Sequence, residues 1–173
     1  RSAMADLAYA LFVEGYNAAH PLTDSVTGIT PEPDAVYAAD RYAKAVKVLD
    51  MIEEKLPQKV SPYSIQIGYQ IADAYLRLGD ETGNDNLKKK GLDIISSEIE
   101  RYGAYLPYFM ELRRTLPGSG FSGLSPADRY IPTYLYVLLQ TYADAGGQTN
   151  KLAEKLEQKG IDLRLLENFI ANK

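Results

Sequence analysis

The chain of 173 residues has no cysteine, no tryptophan and a single histidine, His20. Without cysteine there is neither a disulfide framework nor a thiolate metal site. One imidazole alone offers no pair for zinc and no Cys–His relay, so His20 reads as a structural or solvent-facing residue. No metal and no cofactor are expected. No apolar run approaches the ~20 residues that span a bilayer, and no signal peptide is visible. Positive charge is not clustered either: Lys and Arg total 19 against 23 Asp and Glu, for a net charge of −4. The longest cationic run, Lys88-Lys89-Lys90, reads as a solvated helix face. A nucleic-acid partner is not expected, because binding to phosphate backbones relies on dense Lys and Arg.

What is present is ordinary for one globular domain: 46% hydrophobic and 24% charged residues over a length that can bury its own core. Residues 1–173 therefore read as a single domain. The chain opens on Arg1 rather than Met, and the expectation is a fragment of a longer polypeptide. The periodicity is helical nearly throughout, and no alternating strand pattern is convincing. Leu7, Ala10, Leu11 and Glu14 follow i, i+3, i+4, i+7, as do Ile71, Ala74, Tyr75 and Leu78. A long stripe runs through Val36, Ala39, Tyr42, Ala45, Val46, Leu49, Ile52 and Leu56, with Asp34 placed to cap it and Pro57 to stop it. Ser61-Pro62 and Ser125-Pro126 each pair a cap with Pro at a first helical position. Leu87, Gly91, Ile94, Ile95, Ile99 and Tyr102 mark another helix, and shorter ones are predicted over Tyr105 to Arg114, Lys151 to Gln158 and Asp162 to Ala171. Residues 17–33 and the Gly/Pro stretch 116–124 read as loops, as does a turn from Asp80 to Asn86.

Two segments echo each other. LAYALFVEG (residues 7–15) aligns on IADAYLRLG (residues 71–79) at a constant offset of 71 − 7 = 64. With the 17–33 insertion set aside, each resolves into a pair of helices. The first pair carries Leu7, Ala8, Leu11 and Gly15, then Ala45 and Leu49, closed by Pro57. The second carries Ile71, Ala72, Tyr75 and Gly79, then Gly91 and Ile95; a weaker third has Leu138, Leu139, Tyr142 and Gly146, then Leu152 and Leu156. Small residues would let antiparallel helices approach while the large ones fill the space around the contact. The order resembles the tetratricopeptide pattern. It implies an all-α fold of seven or eight helices, stacked as a degenerate right-handed array of antiparallel pairs.

The spaced pattern LAYALFVEG, AVKVLDMIEEKLP, PYSIQIGYQIADAYLRLGD and LPYFMEL, over Leu7 to Leu112, also resembles the C-terminal tail of a family of bacterial multi-pass membrane proteins. Those proteins are similar in layout to protein O-mannosyltransferases. The resemblance implies a helical-repeat appendage on the extracytoplasmic (periplasmic) side of the inner membrane, joined to the membrane only through its parent chain. The insertion at residues 17–33 departs from that pattern, and any glycosyltransferase active site would lie in the membrane part, so no family catalytic residue maps onto this chain.

No catalytic constellation stands out. Glu53 with Glu54, and Glu98 with Glu100, diverge on helices rather than converge on one bond, and they read as surface charge. PGSGFSG (residues 117–123) lacks the Gly-Lys-Ser/Thr ending of a phosphate loop. The anomaly is tyrosine: 14, against 4 phenylalanines. Tyr offers an apolar ring with a polar tip, suited to wet interfaces and to stacking on sugars. Candidate ligand-binding residues are Tyr102, Tyr105, Tyr108, Tyr130 and Tyr134, with Asp73 on the first helix of the second pair. The expected function is a non-catalytic interaction domain that binds a protein segment or its own membrane domain, or helps position an acceptor. The alternatives are a carbohydrate-binding or hydrolytic domain using those tyrosines with Asp73 or Glu111, and a purely structural domain.

Overall fold

Local chemistry sets the helix starts. The Asp34 carboxylate accepts from the Tyr37 amide at 2.9 Å and caps α2 (Ala35–Glu53), and the Asn84 side chain accepts from Asn86 and Leu87 to cap α4 (Asp85–Gly103). Such caps satisfy amides that the first turn leaves without partners. The computed structural model describes residues 2–54, 62–108, 111, 126–162 and 164. Besides α2 and α4 they form α1 (Ser2–Ala19), α3 (Pro62–Thr82), α5 (Pro126–Asp144) and α6 (Thr149–Gln158), with a helical turn at 106–108. No strand occurs among the described residues. The fold is all-α, built of helix pairs packed on one another. Pro57, the Gly/Pro stretch 116–124 and most of the helices predicted over Tyr105 to Arg114 and Asp162 to Ala171 lie outside the described residues.

The neighbour relations recur along the chain. Helix α1 packs on α2, and both touch α3; α3 packs on α4, and both touch α5. Helix α3 is the hub of this arrangement, in contact with α1, α2, α4 and α5. It is buried on almost every side through Ile65, Ile67, Ile71, Ala72, Ala74, Tyr75, Leu76 and Leu78. At the far end Leu152 and Leu156 of α6 are buried, and Lys155 and Lys159 both pair with Glu100 of α4.

The small residues sit where helices meet closely. Ala8, Ala45 and Ala72 are fully buried. A Cβ added at Gly91 would lie 2.9 Å from the Ala72 carbonyl oxygen, and one at Gly79 only 2.8 Å from the Lys88 backbone nitrogen. Gly79 thus serves the α3–α4 contact rather than the turn. The helix continues to Thr82, and the reversal is made by Gly83, at φ +62°, and Asn84. The predicted turn from Asp80 to Asn86 is therefore much shorter, and Asp80 pairs with Lys88 at 2.7 Å.

Three further expectations are corrected. Helix α1 runs on to Ala19, so the insertion is a loop over 20–34. Its root is closed by the Asp34 amide donating to the Ala18 carbonyl at 2.9 Å, and Thr23 and Thr30 share a 2.7 Å hydroxyl bond within it. The buried line of α1 is Ala5, Ala8, Phe12 and Gly15, whereas Leu7 is 50% exposed and Leu11 half-buried. On α2 the buried line begins at Ala38, leaving Val36 and Ala39 exposed.

Candidate functional site

The patch that joins the most predicted residues lies on α1, α3 and α5. Asp73 pairs with Arg77 one turn along α3, at 2.7 Å. The Arg77 guanidinium is held more basic than usual by the Asp73 hydrogen bond and charge, with smaller contributions from Tyr9 and Tyr69. Tyr9, on α1, is exposed. Tyr69 is half-buried, its ring 6.0 Å from that of Tyr134 on α5 and tilted by 53°. Asp73 with Arg77, and Tyr69 with Tyr134, thus form two local pairs on α3 and its neighbour α5, and sequence spacing alone did not single out Tyr69 or Arg77.

The other predicted tyrosines separate. Tyr102 is fully buried and shares a 2.6 Å hydrogen bond with Ser64 of α3, so it is removed from any surface site. Tyr105 and Tyr108 are 43% and 55% exposed; Glu111 is also exposed. The Tyr130 side chain lies outside the described residues. The sequence placed Tyr102 with Tyr105 and Tyr108 by proximity, but the end of α4 after Gly103 turns the later two outward.

Three polar clusters were not anticipated. The Tyr75 hydroxyl donates to Asp50 at 2.6 Å and to Glu53 at 3.1 Å, and Lys90 donates to the same two carboxylates at 2.8 and 3.4 Å. This ties α2, α3 and α4 at one point. Burial, then the Asp50 hydrogen bond, holds the Tyr75 phenol well above its ordinary range. Burial pulls the Asp50 carboxyl upward, but the bonds from Lys90 and Tyr75 more than offset it and keep it low. A phenol held protonated and donating to two carboxylates braces the three helices at that point.

The second cluster is His20, whose ring nitrogen lies 2.7 Å from Glu81 and whose ring lies 4.5 Å from that of Tyr16, tilted by 40°. Glu81 also accepts from Tyr42 at 3.0 Å, so the single histidine clasps the end of α1 to α3. The third overturns the surface reading of Glu98, which is 3% exposed and paired with Arg101. A Cβ at Gly68 would fall 2.7 Å from the Glu98 carboxyl carbon, so α3 closes directly over it. Its Oε2 has no hydrogen-bond partner among the described residues. Burial pushes this carboxyl above its ordinary value against the opposing pull of Arg101.

Among the described residues no group of three or more His, Asp and Glu could hold a metal ion, and no helix is long and apolar enough to cross a membrane. No family model, curated protein or solved structure matches this chain.

Proposed function

We propose that the chain is a tetratricopeptide-like interaction module that holds an extended protein segment along the α1–α3–α5 face. The observation that carries this reading is the face on which α3 lies between α1 and α5, where the Asp73–Arg77 pair of α3 and its Tyr69, 6.0 Å from the Tyr134 ring of α5, come together near α1, the helix that bears the exposed Tyr9. Helical repeats use such shared faces for partners. Tyrosine and arginine are the residue types that concentrate binding energy at interfaces, and the Asp73–Arg77 pair adds polar groups for a backbone to meet. The same reading places the module beside a bacterial membrane glycosyltransferase-like protein on its extracytoplasmic side; this rests on the sequence pattern over Leu7 to Leu112.

Peptides selected from a random library on the intact chain test the proposal. They should bind a Tyr9→Ser, Arg77→Glu variant at least about tenfold more weakly, which corresponds to about 1.4 kcal/mol. Unchanged binding by a folded variant overturns it. A second reading is supported by the exposure of Tyr105 and Tyr108, aromatic rings of the type that stack on a glycan. A glycan array on which wild type and Tyr105→Ala, Tyr108→Ala behave alike removes that reading.

A further inference from the structure

The most exposed large apolar side chains of the described residues fall within one short span. Leu22, Val26, Ile29 and Val36 are each at least 65% exposed, whereas no other such side chain exceeds 55%. The first three stand on the loop over 20–34, and Val36 lies in the first turn of α2 just beyond it. Aliphatic groups gain nothing by standing in water, and where they gather on a surface they mark a contact with something else.

The loop holds these side chains in place. The Asp24 amide donates to the Ile29 carbonyl at 2.9 Å, and the Gly28 amide donates back to the Asp24 carbonyl at 2.8 Å. One oxygen of the Asp24 carboxylate accepts from the Val26 and Thr27 amides, both at 2.8 Å. Gly28, at φ +68°, lets the chain close the turn. The Thr23–Thr30 hydroxyl bond ties the two arms below it, and Pro21, Pro31 and Pro33 fix φ on either side. Leu22, Val26 and Ile29 are thus carried on one closed, braced turn. An element ordered in advance loses little freedom when it docks.

Charge selects the occupant. Residues 20–34 contain Asp24, Glu32 and Asp34 and neither Lys nor Arg. The Thr27 amide first, then that of Val26, hold the Asp24 carboxyl below its ordinary range. Those bonds occupy its oxygen without cancelling its charge. An anionic lipid surface repels such a loop, because shallow insertion relies on Lys and Arg beside the apolar residues. Two copies meeting loop to loop would set carboxylates against carboxylates. What fits is a surface with positive charge around an apolar hollow.

We propose that the loop over 20–34 is a docking knob, with Leu22, Val26 and Ile29 seated in an apolar cleft of a partner protein whose rim carries Lys or Arg. The exposure that motivates this belongs to a segment inside the chain, between two helices that pack on each other. The knob uses none of the residues of the α1–α3–α5 face, so the two readings fail separately.

Site-specific photocrosslinking tests it. Ser25→p-benzoylphenylalanine puts a photoreactive group on the loop and leaves the three apolar side chains intact. The full chain carrying it is irradiated in the cells that make the protein, with Lys89→p-benzoylphenylalanine, at another exposed position, as the control. The expected result is a protein adduct specific to position 25, whose crosslinked partner peptide, mapped by mass spectrometry, holds Lys or Arg beside apolar residues. Leu22→Ser with Ile29→Ser should lower its yield at least about tenfold while helix content stays unchanged, and Glu32→Lys should lower it as well. No adduct beyond that of the control overturns the proposal, as does a partner peptide without Lys and Arg. So do a crosslinked dimer of the chain, a phospholipid adduct, or a yield indifferent to the substitutions.

Discussion

At position 72 a single methyl group separates two helices. Ala72 is fully buried, and its carbonyl faces Gly91 at a distance that leaves no room for a side chain there. Ala72→Leu should therefore overpack the α3–α4 contact and cost about 1–3 kcal/mol, visible as a lowered urea midpoint; an unchanged midpoint contradicts the packing described. Glu98 makes the opposite kind of prediction. Its folded-state pKa is raised by burial, so its stabilising contribution is full below the ordinary carboxylate value of 4.5 and is lost as pH rises through the folded-state value. Glu98→Gln imitates the protonated acid. It should match wild type near that lower limit and become progressively more stable than wild type toward neutral pH. Melting curves at several pH values check this, and a constant difference across the range refutes it.

At the scale of elements, caps and close contacts decide where helices stop and meet. Asn84 holds the α4 start with two amides, and Asn84→Ala should cost about 1 kcal/mol, read from thermal unfolding. Much of this level was legible in the sequence. Asp34 caps as its position suggests, Pro126 opens its helix, and Ala8, Ala45, Ala72 and Gly91 occupy the contacts that their small size requires. The candidate binding face was legible only in part. Asp73 was legible from its place on the first helix of the second pair, but the Tyr69–Tyr134 contact exists only once α5 lies against α3. Leu7 and Glu98 were misplaced for a common reason. Periodicity gives the line on which a residue lies and not what covers that line. Leu7 has the right spacing yet stays 50% exposed, and Glu98 has a charge in a position that α3 closes over.

At the scale of the whole molecule, three helices depend on one phenol. Tyr75 joins Asp50 and Glu53 of α2 to Lys90 of α4 from the middle of the hub helix. Tyr75→Phe keeps the ring and removes the donor, and should cost about 1 kcal/mol. Because the two carboxylates would then rely on Lys90 alone, the variant should also lose more stability than wild type when salt is raised. Denaturation at low and high ionic strength measures both effects, and equal salt responses would show that the hydroxyl is not what holds the cluster.

The loop over 20–34 has a consequence of another kind. Its root is pinched shut by the Ala18–Asp34 backbone bond, so the helices on either side meet as they would across a tight turn. Between His20, which clasps α1 to α3, and Asp34, which caps α2, residues 21–33 hang from the fold without bearing its load, and the entropy of closing such a segment changes only slowly with length. The length and sequence of that span are free to drift while the helix contacts stay fixed. It is the place where this architecture can take up a graft, or a new partner over evolutionary time, without being rebuilt.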